Sequence, residues 1–210
     1  MTLFITFEGP EGSGKTSQTR ALYKKLERLA LPAVLTHEPG GTPAGEKITR
    51  LVKWARATGI SPLTELLLFN ASRGQLVEEV IRPALKAGKV VICDRFTDST
   101  VAYQGYGRGL DLALVKAVND IATLGLKPDL TVLLDVPFQT GMARKANRAH
   151  DRFEQEDIEF HNRVREGYLK LAKEEPERWL VINATQTKEE IADIIWRRVS
   201  LLLSNVQPPG

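Results

Sequence analysis

The sequence predicts an α/β fold, a mostly parallel sheet with helices on both faces, in a single domain spanning all 210 residues. Three observations predict it. Five short apolar runs alternate with helix-period segments from one end of the chain to the other. Strands separated by helices require right-handed crossovers, which produce a parallel sheet covered on both sides. Finally, 210 residues with 42% hydrophobic and 26% charged side chains suffice for one sizeable core but not for two full domains.

The strands are expected at Leu3–Glu8, Ala33–His37, residues 90–93, Leu130–Asp135 and Trp179–Asn183. Between them, Leu114, Val118, Ile121 and Ala122 share one helical face, as do Phe160, Val164, Tyr168 and Leu171, and later Ile191, Ile194 and Ile195. Ligands of open parallel sheets bind beyond the carboxyl ends of the strands. Attention therefore falls on residues 9–16, 38–42, 94–99, 136–137 and 184–186.

Composition narrows the classes. The net charge of +3 is mildly basic, which suits anionic substrates but lacks the dense Lys and Arg clustering of a nucleic-acid binder. The single cysteine, Cys93, lies in an apolar run and reads as a small buried hydrophobe in a reducing compartment. The N-terminal apolar run is too short for a signal-peptide core, and no stretch reaches the length of a membrane span, so the expected location is the cytoplasm. No Cys/His cluster with metal-ligand spacing occurs.

Between the first strand and the first helix stands Gly9-Pro10-Glu11-Gly12-Ser13-Gly14-Lys15-Thr16, which fits G-x-x-x-x-G-K-[ST] in the context that gives the motif meaning. Its glycines let backbone N–H groups converge on phosphate oxygens at the positive end of the following helix. Lys15 is expected to reach the β- and γ-phosphates, and the Thr16 hydroxyl to ligate Mg²⁺. Glu11 is unusual there, because a carboxylate beside a triphosphate is repelled. It should point away, toward a sugar hydroxyl of a second substrate or simply into solvent.

The other strand ends offer groups for that second substrate. Asp94 is placed to act near the metal or its water shell and Arg95 to clamp a phosphate, although the two also read as a plain ion pair. Phe69 and Arg73, four residues apart, share a helix face, where the ring can stack on a base and the guanidinium can donate to a base carbonyl. Core packing is the other reading of Phe69. Tyr103 lies in the glycine-containing segment Tyr103-Gln104-Gly105-Tyr106-Gly107-Arg108-Gly109. Basic residues crowd Arg144, Lys145, Arg148 and Arg152, either as a solvated face or as a lid, about residues 142–154, whose arginines close over a transferring phosphoryl group.

These stretches together resemble the bacterial thymidylate kinase family. The resemblance is carried by Phe7-Glu8 with the phosphate loop, Glu38-Pro39-Gly40-Gly41-Thr42, Leu68-Phe69-Asn70-Ala71-Ser72-Arg73, Asp94-Arg95-Phe96 with Ser99, Ala102-Tyr103-Gln104-Gly105, and Asp151-Arg152-Phe153-Glu154, in family order. It implies a P-loop nucleotide kinase with a five-stranded parallel sheet, commonly a homodimer, that uses ATP and dTMP to make ADP and dTDP. By motif, Glu11 would meet the acceptor's 3′-hydroxyl region, Arg95 its phosphate, Phe69 the thymine face and Arg73 the thymine carbonyl edge. Tyr103 would crowd the sugar 2′ position, with Ser99, Thr100 and Gln104 nearby. Asn183 and Ala184 resemble the loop beside adenine. Because Gly12 stands where some relatives carry arginine, the catalytic cations would come from the lid residues Arg144, Arg148 and Arg152.

Two positions depart from the family's usual pattern: His37 replaces a frequent arginine, and Phe96 a frequent tyrosine or histidine. Two other readings compete. One is a P-loop kinase for another nucleoside or nucleotide. The other is a nucleotide-binding switch, which would ordinarily carry an Asn-Lys-x-Asp guanine reader where this chain has Asn183-Ala184-Thr185-Gln186.

Overall fold

The five apolar runs form one parallel sheet in the order β2-β3-β1-β4-β5, with β1 (Leu3–Glu8), β2 (Ala33–His37), β3 (Val90–Asp94), β4 (Leu130–Asp135) and β5 (Trp179–Asn183). A computed structural model describes residues 2–54, 59–144 and 151–205. Four of the five strands keep the expected bounds. The third runs one residue further, because Asp94 pairs in register with both Phe7 and His37.

The connecting helices are α1 (Lys15–Arg28), α2 (Pro43–Trp54) and α3 (Pro62–Leu76), which continues through a π-helical turn (Val77–Ile81) into α4 (Arg82–Lys86). Then follow α5 (Thr97–Thr100), which runs into a second π-helical stretch (Val101–Gly107), α6 (Leu112–Thr123), α7 (Phe138–Ala143), α8 (Ile158–Glu174) and α9 (Lys188–Asn205). Local sequence explains several starts. Ser61 accepts from Thr64 N with Pro62 at the first helical position, Asp111 accepts from Leu114 N at 2.8 Å, and Asp157 from Phe160 N at 2.6 Å.

Period-two alternation divides the core between the two faces of the sheet. Leu3, Ile5 and Phe7 pack with Leu22 and Leu26 of α1 and Ile191, Ile195 and Val199 of α9. Phe4, Val91 and Cys93 face the other way, onto Leu76, Ile81 and Phe96. With both faces covered, the sheet leaves its carboxyl edge, where the loops after β1 and β3 meet, as the place for a ligand.

Helix α6 departs from expectation. Leu114 and Ile121 point outward, Ile121 being 75% exposed, while Val115, Asn119 and Thr123 face inward. The inner face is partly polar because Asn119 accepts from Arg73 Nη1 at 2.7 Å and donates to Thr97 O at 3.3 Å. Apolar periodicity marks a face that is to be covered; it does not say whether the chain's own core covers it.

Candidate active site

The phosphate loop follows β1 and ends where α1 begins at Lys15. Gly12 adopts φ 70°, and a Cβ there would lie 1.9 Å from Gly141 O, so only glycine lets the loop lie against α7. Lys15 is folded back on the loop, its Nζ donating to Gly9 O and Pro10 O, both at 2.9 Å, and to Ser13 Oγ at 3.3 Å. These acceptors hold the ammonium against the loop's own backbone. Thr16 Oγ1 donates to Asp94 Oδ2 at 2.6 Å, bringing two hard oxygen donors together at the mouth of the loop. Among the described residues no group of three or more His, Cys, Asp or Glu is placed to hold a metal ion.

Burial pushes the Lys15 ammonium down to about 8; the Arg95 cation adds to this, and Glu11, Asp94 and Glu8 oppose it. The sign follows directly. With a folded value below the usual 10.5, the free protein loses this charge as pH rises through about 8, before the unfolded chain would. The group's contribution to stability therefore rises between about 8 and 10.5, whereas affinity for a triphosphate falls. Calorimetric titration with ATP from pH 7.5 to 9 is expected to show weakening of up to about tenfold per pH unit above 8. A flat profile over that window would contradict it.

A cavity lies next to the loop. Glu11, Phe69, Arg73, Arg95, Ser99, Thr100, Tyr103 and Gln104 line one cavity, together with Glu38, Pro39, Lys53, Asp151 and Phe153. Glu11 turns toward this cavity, its Oε1 accepting from Arg95 Nη2 at 2.5 Å and from the Tyr103 hydroxyl at 3.3 Å. Arg95 also donates to Ser99 Oγ at 3.1 Å and Tyr168 OH at 3.2 Å, and its guanidinium lies 5.1 Å from the Tyr103 ring centroid. Its backbone sits at φ 73°, a left-handed conformation that a non-glycine residue adopts at a cost of about 1–3 kcal/mol. Tyr103 and Gln104 project from the π-helical stretch, and Phe69 lies 5.6 Å from the Phe153 ring at a 47° tilt.

Arg73 differs from expectation. All five of its N–H groups have protein partners: Nε meets Glu38, Nη1 meets Asn70 and Asn119, and Nη2 meets Glu38 and Phe96 O. Donation to a base carbonyl would require one of these bonds to be shared or given up.

The basic segment divides. Arg144 Nη2 donates to Ala184 O at 2.9 Å and Nη1 reaches Gly12 O at 3.4 Å, bridging the phosphate loop and the loop after β5. Within that loop, Ala184 N donates to Asp135 O, and Asn183 Oδ1 accepts from Thr185 N and Oγ1. Arg152, expected as a cation over the phosphates, instead donates to Glu65 Oε2 and to Val52 O, while its neighbours Asp151 and Phe153 line the cavity. Glu65 is 1% exposed, and a buried carboxylate stripped of a cationic partner is strongly destabilising, which favours this contact. Lys145 and Arg148 lie outside the described residues.

Four site residues had no functional role in the sequence reading. Glu8, fully buried at the end of β1, accepts from Phe96 N at 2.7 Å, Ser99 Oγ at 2.5 Å and Tyr168 OH at 2.9 Å. Burial, with Asp98 adding, pushes its carboxyl up to about 7, while Arg95 and Ser99 pull it down. A glutamate closing an apolar strand beside the phosphate loop was the signal for it. Tyr168 was legible only as part of an apolar helical face. Glu38 and Glu65 are buried counter-ions, whose partners are remote in sequence.

A phosphate loop whose own Glu11 reaches into an adjoining arginine-lined cavity defines a P-loop nucleotide kinase, an enzyme with donor and acceptor subsites on one sheet edge. The chain belongs to the thymidylate kinase family: the model of the family described as thymidylate kinase matches residues 7–195. It is 57% identical over 203 residues to the thymidylate kinase of Dehalococcoides mccartyi (strain CBDB1), covering 97% of this chain and 98% of that protein. It is 50% identical over 199 residues to that of Deinococcus radiodurans, with 94% and 96% covered. The crystal structure of thymidylate kinase from Ehrlichia chaffeensis superposes with a TM-score of 0.79 at 37% identity, covering 95% of this chain and 98% of that one.

Proposed function

We propose that this protein transfers the γ-phosphoryl group of ATP to the phosphate of dTMP, giving ADP and dTDP on the route to dTTP. The observation that carries the reading is Glu11: it belongs to the phosphate loop, lines the acceptor cavity and is bonded to Arg95, so the two subsites share a wall.

ATP lies along residues 9–16, its phosphates taking the place of Gly9 O and Pro10 O at Lys15 Nζ, with its adenine toward Asn183 and Ala184. The acceptor phosphate is held by Arg95, the thymine stacks on Phe69, Tyr103 crowds the sugar 2′ position, and Glu11, Ser99, Thr100 and Gln104 complete the pocket. An acceptor phosphate oxygen is already a nucleophile, so no general base is needed and catalysis rests on alignment and charge neutralisation. Mg²⁺ arriving with ATP would neutralise charge on the phosphate oxygens, held by Thr16 and, through its water shell, Asp94. Residues 142–154 act as a lid, and Arg144, whose Nη1 donates to Gly12 O, is the lid arginine that meets the loop among the described residues. Arg148 and Arg152 remain in the proposal; Arg152 would have to leave Glu65 to act on phosphate. Closure of such a segment excludes the water that would otherwise hydrolyse ATP.

A survey of monophosphate acceptors with ATP and Mg²⁺ tests this. dTMP is expected to have the highest kcat/KM, and dUMP, lacking one methyl, to be about 10–200-fold poorer. Higher kcat/KM for AMP, CMP or GMP would overturn the thymine assignment.

The same reading makes the protein a cytoplasmic homodimer. The outward faces of α3 and α6, which pack together, carry Leu63 and Leu67, and Leu114 and Ile121, respectively; Leu124 follows α6. Such an apolar stripe on two adjoining helices suits a self-complementary contact. Among the described residues no helix is long and apolar enough to cross a membrane. Light scattering coupled to size exclusion is expected to give twice the 23.4 kDa chain mass for the wild type and a monomer for Ile121→Lys. A monomeric wild type, or a variant that remains fully dimeric, would refute this interface.

A further inference from the structure

The acceptor cavity rests on a buried carboxylate that the mechanism above does not use. Glu65, in the first turn of α3, is 1% exposed. Its Oε1 accepts from Gln104 Nε2 at 2.7 Å and Arg108 Nε at 3.2 Å, and its Oε2 from Arg152 Nη2 and, at 3.3 Å, Arg108 Nη2. A carboxylate flanked by two guanidiniums can only accept. The Gln104 amide therefore has one orientation open to it, with the NH₂ toward Glu65 and the carbonyl oxygen turned away.

That carbonyl matters because of what surrounds it. Gln104 lines the same cavity as Phe69, and among the described residues no protein group donates to its Oε1. Arg73, the other candidate reader of the base edge, has its N–H groups committed within the protein. The Gln104 oxygen, left without a protein donor among the described residues, is an acceptor available to a ligand of that cavity. It matches a ring N–H, as in thymine and uracil at N3, and opposes the N3 lone pair of cytosine.

We propose that Glu65 is a positioning residue that fixes the polarity of the Gln104 amide, so that the cavity selects pyrimidines carrying N3–H and rejects the cytosine edge. This deepens the dTMP reading and rests on it. Sequence alone conceals the device, since a glutamate among leucines on a helix reads as a surface charge.

The test compares dTMP with 5-methyl-dCMP, which share the methyl group and differ only in their 3,4 edge. The wild type is expected to favour dTMP by at least about 10² in kcat/KM. Glu65→Gln presents either an oxygen or an NH₂ and so frees the Gln104 amide to turn. The dTMP/5-methyl-dCMP ratio should then fall at least about tenfold, while Glu65→Asp, which keeps an acceptor, should preserve most of it. A packing defect would lower both activities alike and leave the ratio unmoved, which would overturn the proposal. If Glu65→Gln does not fold, Gln104→Met supplies the test: the ratio must fall there too, and an unchanged ratio refutes Gln104 as the reader. A wild type that prefers 5-methyl-dCMP would defeat the functional reading itself, whereas wild-type preference for dTMP with an unmoved ratio in Glu65→Gln defeats only the role of Glu65.

Discussion

Lys15→Ala is expected to lower kcat by about 10²–10³ while the protein stays folded. The ammonium is the cation built into the phosphate loop, and it is buried, with its hydrogen bonds going to two backbone carbonyls and to Ser13 Oγ. Charge spreads onto the phosphoryl oxygens at the transition state, so a fixed cation there stabilises the transition state more than bound ATP. The loss should therefore fall mainly on kcat. Stability responds differently, because burial already disfavours the charged form of Lys15, and removing it removes that penalty as well as three hydrogen bonds. Steady-state kinetics beside a thermal melt separate the two. Near-normal kcat in a well-folded variant would take Lys15 out of the chemistry.

Arg95→Ala is expected to have the second large effect, a fall in kcat/KM for dTMP of at least about 10³, with the KM for ATP changed far less. Arg95 joins Glu11, Ser99, Tyr103 and Tyr168 at one point, so its loss removes the acceptor's phosphate clamp and leaves carboxylates at Glu11 and Glu8 without their shared cation. Breaking one side of a buried ion pair costs about 3–5 kcal/mol, so a lower melting temperature is expected too. Arg95→Lys restores the charge but not the planar fork. It should recover stability better than turnover. Equal losses toward ATP and dTMP would show that Arg95 serves the fold rather than the acceptor.

The strands were legible because both faces of the sheet are covered, which makes each strand a short continuous apolar run. The phosphate loop was legible because its chemistry is local: one turn of backbone, one lysine and one hydroxyl. What sequence reading missed was set by partners far apart in the chain. Arg73 was readable as a residue facing a base, yet Glu38 and Asn119, 35 and 46 positions away, take its donors. Arg152 was readable as a lid cation, yet Glu65, 87 positions away, holds it. Tyr168 kept its apolar period while its hydroxyl served Glu8, Ser99 and Arg95, because periodicity records where a side chain points and not what its terminal atom meets. On α6 the apolar stripe was visible but its direction was not, since the inner face had to carry Asn119 for Arg73.

The most direct measurement is a crystal structure of the protein with dTMP and a non-hydrolysable ATP analogue bound together. The analogue's terminal phosphate should lie at Lys15 Nζ and the dTMP phosphate at the Arg95 guanidinium, with thymine against Phe69 and the two phosphates facing each other beside Glu11. A dTMP molecule bound away from Arg95 and Phe69, or phosphates pointing in unrelated directions, would contradict the account.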